Sequence, residues 1–361
     1  MTYPARSSVR STAPAASAAL ASARASFGDT HGYLAAAAMG VPTRESVAAQ
    51  KADLDDCARA ARSPRDYEGA IERSRAHYAA LVGVDVDRVA IGSQTSVMAS
   101  VIAAAVPPGA EVLCVDGDFT SIVFPFLQAP AVRVRHVPLE DLAASITDAT
   151  WLVAFSHIQS ATGRVADVVS IATAAAAHGA FTLCDTTQSA GVHPVDAAAF
   201  DATVCHAYKW LCAPRGAAFL TVTAQFQERL TPVQAGWCAG ADVWQSCYGP
   251  EMRLAATARR FDVSPAWSAW VGAEHPLQMF ASLDIDEVWR YASGLGDELC
   301  DARGIPRQHQ AIVTWADPEG HDLARLTNAG IRASWRAGRL RAAFHLWNDA
   351  SDVVAVVNAL R

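Results

Sequence analysis

From about Glu45 onward, Ala-rich stretches with helical spacing alternate with short runs of β-branched and aliphatic residues, which predicts an α/β domain built on a mainly parallel sheet. Helices are expected over Glu45 to Ala61, Glu68 to Val82, Thr95 to Val106 and Asp167 to His178. Strands are expected over Glu111 to Val115, Val132 to His136, Trp151 to Phe155, Phe181 to Cys184, Ala202 to Cys205 and Ala217 to Val222, and a short apolar run, Val89 to Ile91, precedes Thr95. Several of these runs are apolar at every position, as strands covered on both faces are. In such a sheet, ligand chemistry gathers at the carboxyl ends of the strands.

After about Thr223 the chain becomes rich in Trp and is punctuated by Gly and Pro, so loops and short helices are expected as far as Pro276. A helix over Pro276 to Tyr291 follows. Alternating strands from Ala311 and a final helix over Ser351 to Leu360 predict a small α+β lobe. The division read from these patterns is a flexible leader at 1–27, a large domain at 28–240 and a small domain at 241–361. The segment near Gly32 to Pro42 either joins the small lobe or covers a cleft.

The 361 residues are 52% hydrophobic and 18% charged, ample material for a packed core. A net charge of -7 counts against a nucleic-acid or membrane-surface binder, although Arg332, Arg336, Arg339 and Arg341 form one local basic cluster. The eight cysteines include no CxxC pair and no metal-ligand spacing, which favours reduced thiols in a cytoplasm and no bound metal. No apolar run approaches the ~18 residues of a membrane span. The first 27 residues are rich in Ala, Ser and Arg but lack the continuous apolar stretch of a signal peptide.

The strand Phe181 to Cys184 ends at Asp185, and the next strand leads into His206-Ala207-Tyr208-Lys209-Trp210. An acid and a lysine thus fall at neighbouring strand ends. Pyridoxal phosphate requires such a pair: an amine to form an imine, and an anion beside its ring nitrogen. Taken alone, the spacing favours an Asp capping a turn and a surface Lys. Gly92-Ser93-Gln94-Thr95 adds weight, because it lies between an apolar run and a helix start, where backbone amides and a hydroxyl make an anion site.

CDTTQSAG (Cys184 to Gly191) with HAYKWLCAPRG (His206 to Gly216) resembles the class V aminotransferase family of fold type I pyridoxal-phosphate enzymes. The resemblance implies a mainly parallel seven-stranded sheet between helices, with a smaller α+β C-terminal domain. It also implies that Lys209 is the Schiff-base lysine, that Asp185 pairs with the pyridinium, and that Gln188 bonds the phenolic oxygen. Gln94, Thr95, His206 and Tyr208 match phosphate contacts, Phe119 in DGDFTS matches the residue stacked on the ring, and Gln159 or Ser160 matches the contact beneath it. Ser264 resembles residues that approach the neighbouring subunit's phosphate, which implies a homodimer.

In RLRAAFHLWN (Arg339 to Asn348), Arg341 falls at the position of the substrate-carboxylate arginine, a role suited to the planar guanidinium fork. Cysteine desulfurases carry a nucleophilic thiol on the loop before that arginine, whereas here NAGIRASWRAGRLR (Asn328 to Arg341) has no cysteine. The opening FGDTHGYLAAAAMGVPTRESV and the run GWCAGADVW are similar to hercynylcysteine sulfoxide lyases of ergothioneine biosynthesis. That similarity implies carbon–sulfur bond cleavage of a small amino-acid substrate, with His31, Tyr33 and Trp237 as substrate contacts. Trp237, Trp244, Trp267, Trp270 and Tyr248 suit either a substrate cation or plain core packing. An aminotransferase or epimerase, a desulfurase-like enzyme and a cofactor-binding regulatory protein remain the alternatives.

Overall fold

The computed structural model describes residues 17–361. In chain order, helices α1 (Ala18–Ala25), α2 (Arg44–Ala58) and α3 (Glu68–Leu81) precede strand β1 (Val89–Gly92) and helix α4 (Thr95–Ala103). There follow β2 (Glu111–Val115), α5 (Thr120–Leu127), β3 (Arg133–Val137), β4 (Thr150–Ser156), α6 (Val168–His178), β5 (Phe181–Asp185), β6 (Ala202–His206), β7 (Ala218–Val222) and the short α7 (Ala224–Gln227). The last third holds α8 (Trp267–Ala281), α9 (Ile285–Arg303), β8 (Ile312–Ala316), α10 (His321–Asn328), β9 (Ser334–Arg336), β10 (Arg339–Ala343) and α11 (Ala350–Ala359).

Strands β1 to β7 form one sheet in the order β1-β7-β6-β5-β4-β2-β3, in which only β7 runs antiparallel to its neighbours. The expected mainly parallel sheet of seven strands is what forms. Its apolar runs are explained by two covered faces. Leu152 and Ala154 of β4 join Leu183, Val204 and Leu220 under α4 and α5, while Val153 and Phe155 pack with Cys184 toward α6. Because strand side chains alternate, a strand buried on both sides needs an apolar residue at every position.

The expected single helix over Pro276 to Tyr291 is two helices. Asp284 Oδ1 accepts the amides of Asp286 (3.0 Å) and Glu287 (3.4 Å), so it caps a new helix three residues after α8 ends. Pro276 lies inside α8 rather than at its start. Proline cannot donate to the carbonyl four residues back, and Ser46 Oγ donates to that Gly272 oxygen instead, at 2.7 Å. Through this bond and its neighbours α8 lies against α2 and α3, so 241–281 packs with large-domain elements. The second sheet and its helices begin at Ile285.

The smaller sheet is antiparallel, β8-β10-β9, with Leu295, Leu299, Val313, Leu340 and Val356 in its core. The N-terminal segment joins this lobe: Leu34 N donates to Arg332 O at 2.7 Å and Ala343 N to Leu34 O at 2.9 Å. Residues 1–16 of the expected leader lie outside the described residues. The remainder is α1, whose Leu20, Ala23 and the following Phe27 are buried in the main core, so it is a packed element and not a loose leader. No helix among the described residues is long and apolar enough to cross a membrane.

Candidate active site

Asp185 and His206 end β5 and β6, two central strands paired in parallel, which brings the acid and the lysine turn to one edge of the sheet. Asp185 is 3% exposed, and Oδ1 accepts the Thr187 amide at 2.8 Å. Burial raises its carboxyl to about 6, against the pull of the Thr187 hydrogen bonds and the positive Lys209. Lys209 is 4% exposed, and burial lowers its amine to about 8 despite the opposing charge of Asp185. Its Nζ lies 5.1 Å from the ring centre of Phe119 and 5.6 Å from that of Tyr208.

The lysine turn is held from two sides. Gly40 N donates to Tyr208 O at 2.9 Å, and a Cβ on Gly40 would stand 2.0 Å from Lys209 O, so only glycine lets the N-terminal segment approach this closely. His206 N donates to Thr187 Oγ1 at 3.0 Å, and Thr187 Oγ1 lies 3.3 Å from Thr95 Oγ1 at the start of α4. Thr187 thus ties the lysine strand to the start of α4. At Gly92 a Cβ would meet Met98 Sδ at 2.1 Å, so a side chain there would have to displace the Met98 thioether packed under the turn into α4.

Gln188 has a defined orientation. The indole Nε1 of Trp210 can only donate, and it donates to Gln188 Oε1 at 2.7 Å. The amide nitrogen therefore faces the other way, donating to Ser160 Oγ and Ala37 O, each at 3.0 Å. Ser160 in turn accepts from Arg341, Nη1 to Oγ at 3.1 Å, with a further short contact to Ser160 O, and Arg341 Nε donates to Ser334 Oγ at 2.9 Å. Arg341 is 1% exposed and has no carboxylate partner among the described residues. Burial, with Arg336 nearby, lowers its guanidinium to about 10, so it remains a cation at neutral pH.

Lys209, Asp185, Gln94, Thr95, Phe119, Ser160, Gln188, His206, Tyr208 and Arg341 thus collect around one strand edge. Ser264, Trp237 and His31 do not join them within the chain. Ser264 is exposed beyond Val263, whose amide donates to Ile91 O at 3.3 Å. Trp237 lines a separate cavity of about 120 Å³ with Glu72, Arg75, Trp244 and Asp262. His31 turns outward to Asp352, Nδ1 to Oδ1 at 3.0 Å, at the start of α11. Tyr33 lies between, its hydroxyl donating to Met39 O at 2.8 Å on the face shared with Arg332.

Two residues escaped the sequence reading. Asp118 accepts from Ser156 N (2.8 Å), Ser156 Oγ (2.5 Å) and Gln159 Nε2 (3.2 Å), and so shapes the loop that carries Ser160. Its place before Phe119 in DGDFTS was the available signal. Arg215 lays its guanidinium over the Tyr208 ring at 4.8 Å, and its proximity in sequence to the lysine turn pointed there as well.

These groups fit pyridoxal 5′-phosphate. An amine with lowered basicity faces a buried carboxylate, and an aromatic ring stands over the amine. The ring nitrogens His206 Nε2 and His157 Nδ1 are buried without a partner among the described residues, leaving polar positions for a ligand. Among the described residues no cluster of metal-ligating side chains competes for the site.

The family model for aminotransferase class-V matches residues 65–302. The chain is 30% identical over 252 residues to a kynureninase of Deinococcus radiodurans, covering 66% of this chain and 60% of that one. It thus spans less than two thirds of that relative. Among solved structures, the cysteine desulfurase CsdA of Escherichia coli superposes with a TM-score of 0.81 at 20% identity, covering 94% of this chain and 97% of the other. The cystine C-S lyase C-DES, solved with its product cysteine persulfide, superposes at 0.82 with 19% identity over 92% of this chain and 97% of its own. A variant of C-DES was solved with glycine covalently linked to its pyridoxal-phosphate cofactor. With the family matched across the sheet, the lysine turn and most of the helices, the chain belongs to the class V aminotransferase family, and its cofactor is pyridoxal 5′-phosphate.

Proposed function

We propose that the protein is a carbon–sulfur lyase that performs β-elimination on a cysteine S-conjugate sulfoxide. The observation that carries this reading is the absence of a usable thiol beside Lys209 and Arg341. The segment from Asn328 to Arg341 contains no cysteine. The thiols nearest Lys209 in sequence, Cys205 and Cys212, are buried, and burial pushes Cys205 up to about 12 and Cys212 well above the usual thiol range. A thiol held protonated is neither a nucleophile nor a sulfur acceptor. With no thiol to accept it, departure of the sulfur on the substrate fragment is the reading this supports.

In this reading Arg341 grips the α-carboxylate with its guanidinium fork, and Ser160 and Ser334 hold the fork in place. Lys209 Nζ, already depressed to about 8, takes the Cα proton. Asp185 remains ionised beside a cationic ring nitrogen, since an adjacent positive charge lowers a carboxyl raised only to about 6. When bound, the cofactor supplies an electron sink for the Cα carbanion. The Cβ–S electron pair then leaves on sulfur as a sulfenate, and the three-carbon fragment hydrolyses to pyruvate and ammonium.

The resemblance of the opening segment and the GWCAGADVW run supports hercynylcysteine sulfoxide as the substrate, with the sulfenic acid of ergothioneine as the first product. A cytoplasmic homodimer is part of the same reading. The test is stoichiometric pyruvate release from cysteine-conjugate sulfoxides by the loaded enzyme. Amino transfer to an added 2-oxo acid, or inversion at Cα, without pyruvate would replace the lyase by an aminotransferase or epimerase.

A further inference from the structure

The β9–β10 hairpin places Ser334 opposite Arg341 and Arg336 opposite Arg339. Because strand side chains alternate, these four share one face, the face on which Arg341 reaches Ser160. Leu340, on the other face, is fully buried in the small-lobe core. Arg336 and Arg339 are therefore direct cross-strand neighbours, and Arg341 is the diagonal neighbour of Arg336. Like charges in such positions repel.

Among the described residues no ion pair offsets that repulsion. Arg339 is occupied with Thr314, donating to Oγ1 at 3.1 Å and to the backbone oxygen at 3.2 Å. Arg336 donates from Nη1 to the carbonyl of its own neighbour Trp335 at 2.7 Å, and among the described residues it forms no ion pair. Its charge is felt at three site groups: it adds to the lowering that burial imposes on Lys209 and Arg341, and it opposes the rise that burial imposes on Tyr208. The turn that carries it is tight, with Ala337 and Gly338 both left-handed (φ 48 and 75), the pattern of a two-residue hairpin turn. The hairpin thus places an exposed guanidinium, with no ion-pair partner among the described residues, diagonally across the strand pair from Arg341. The same stretch, Asn328 to Arg341, contains no cysteine.

We propose that Arg336 is a second anion-binding residue of the substrate site, taking a carboxylate at the far end of the substrate side chain while Arg341 takes the α-carboxylate. The substrate class is an amino acid with a distal carboxylate. This rests on the reading of Arg341 given above.

The test titrates the holoenzyme with L-2-aminoadipate and L-norleucine, which have equal carbon chains and differ by a terminal carboxylate. Neither carries a β-leaving group, so binding is read from the change in cofactor absorbance whether or not the protein is a lyase. The wild type is expected to bind aminoadipate about tenfold or more tightly than norleucine, the scale of one charge-assisted hydrogen bond. In Arg336→Ala the ratio should fall to near one, and in Arg336→Lys part of it should remain. A wild-type ratio near one, or a ratio in Arg336→Ala within threefold of the wild type, overturns the proposal. Arg341→Ala separates the two readings: it should weaken both ligands alike, and full retention of norleucine binding would remove the Arg341 assignment instead.

Discussion

Replacing Arg75 by Met isolates a buried carboxylate at the point where the anion loop is anchored. Arg75 and Asp262 are 2% and 3% exposed and form a bidentate pair, Nη2 to Oδ2 at 2.7 Å and Nη1 to Oδ1 at 3.1 Å. Asp262 Oδ1 also accepts the Ile91 amide at 2.8 Å, and Arg75 Nη1 donates to Val89 O at 2.7 Å, so the pair pins β1 just before Gly92 to Thr95. Loss of one partner from such a pair costs about 3–5 kcal/mol, because the other charge stays buried and unpaired. At ~1–3 kcal/mol per molar urea, the unfolding midpoint should fall by about 1–5 M.

The double variant Arg75→Met/Asp262→Leu removes both charges. It should lose only about 1–3 kcal/mol, the cost of leaving the Ile91 N–H unbonded. The sign of the pH effect follows from burial, which already raises Asp262 against the opposing charge of Arg75. Without Arg75 its folded pKa lies further above its unfolded value. The penalty is then absent below the unfolded carboxyl pKa and grows as pH rises through the folded one. The Arg75→Met deficit should therefore be smaller at pH 5 than at pH 8, measured by urea unfolding at both. A double variant as unstable as Arg75→Met, or a deficit independent of pH, would refute this reasoning. Looser cofactor binding should accompany the single variant, since β1 carries the anion loop.

Further outcomes are expected at the site. Lys209→Ala should abolish borohydride fixation of the cofactor to the chain, read by intact mass, and reduce turnover by about 10²–10⁴-fold. Because burial lowers Lys209 to about 8, the rate of cofactor uptake by apoprotein should rise with pH through about 8 and then level, as the neutral amine becomes the dominant form; a midpoint near the ordinary lysine value of 10.5 would count against the buried environment. Trp210→Phe removes the donor that orients Gln188, so the absorbance–pH titration of the holoenzyme should shift, while Gln188→Glu in the same background should not restore it. Gly40→Ala, whose Cβ would meet Lys209 O at 2.0 Å, should lower both cofactor affinity and thermal midpoint.

Much of this protein was legible from the chain alone, because strands buried on both faces write themselves as unbroken apolar runs. Phe181 to Cys184 and Ala202 to Cys205 located two neighbouring strands, and in a parallel sheet their carboxyl ends must lie side by side, so Asp185 and Lys209 followed. The strand-to-helix junction at Gly92 to Thr95 was legible for the same reason: an apolar strand running into a helix leaves free amides where they meet. The class V family was visible in the two motifs around these residues.

Tertiary structure decided what depends on distant segments. The single helix expected over Pro276 to Tyr291 divides because Asp284 caps a second helix, while Ser46, far away in sequence, satisfies the carbonyl that Pro276 cannot bond. Residues 17–27, polar and Ala-rich by composition, became a core helix because Leu20 and Phe27 found a buried surface built mainly by later residues. Trp237 and His31 were placed by motif similarity, yet packing turned one toward a cavity with Arg75 and the other toward Asp352. The orientation of the Gln188 amide was set by Trp210, and the position of the Arg336 guanidinium by hairpin register. Side-chain direction across non-local contacts is not encoded in local spacing; it emerges only when the elements pack.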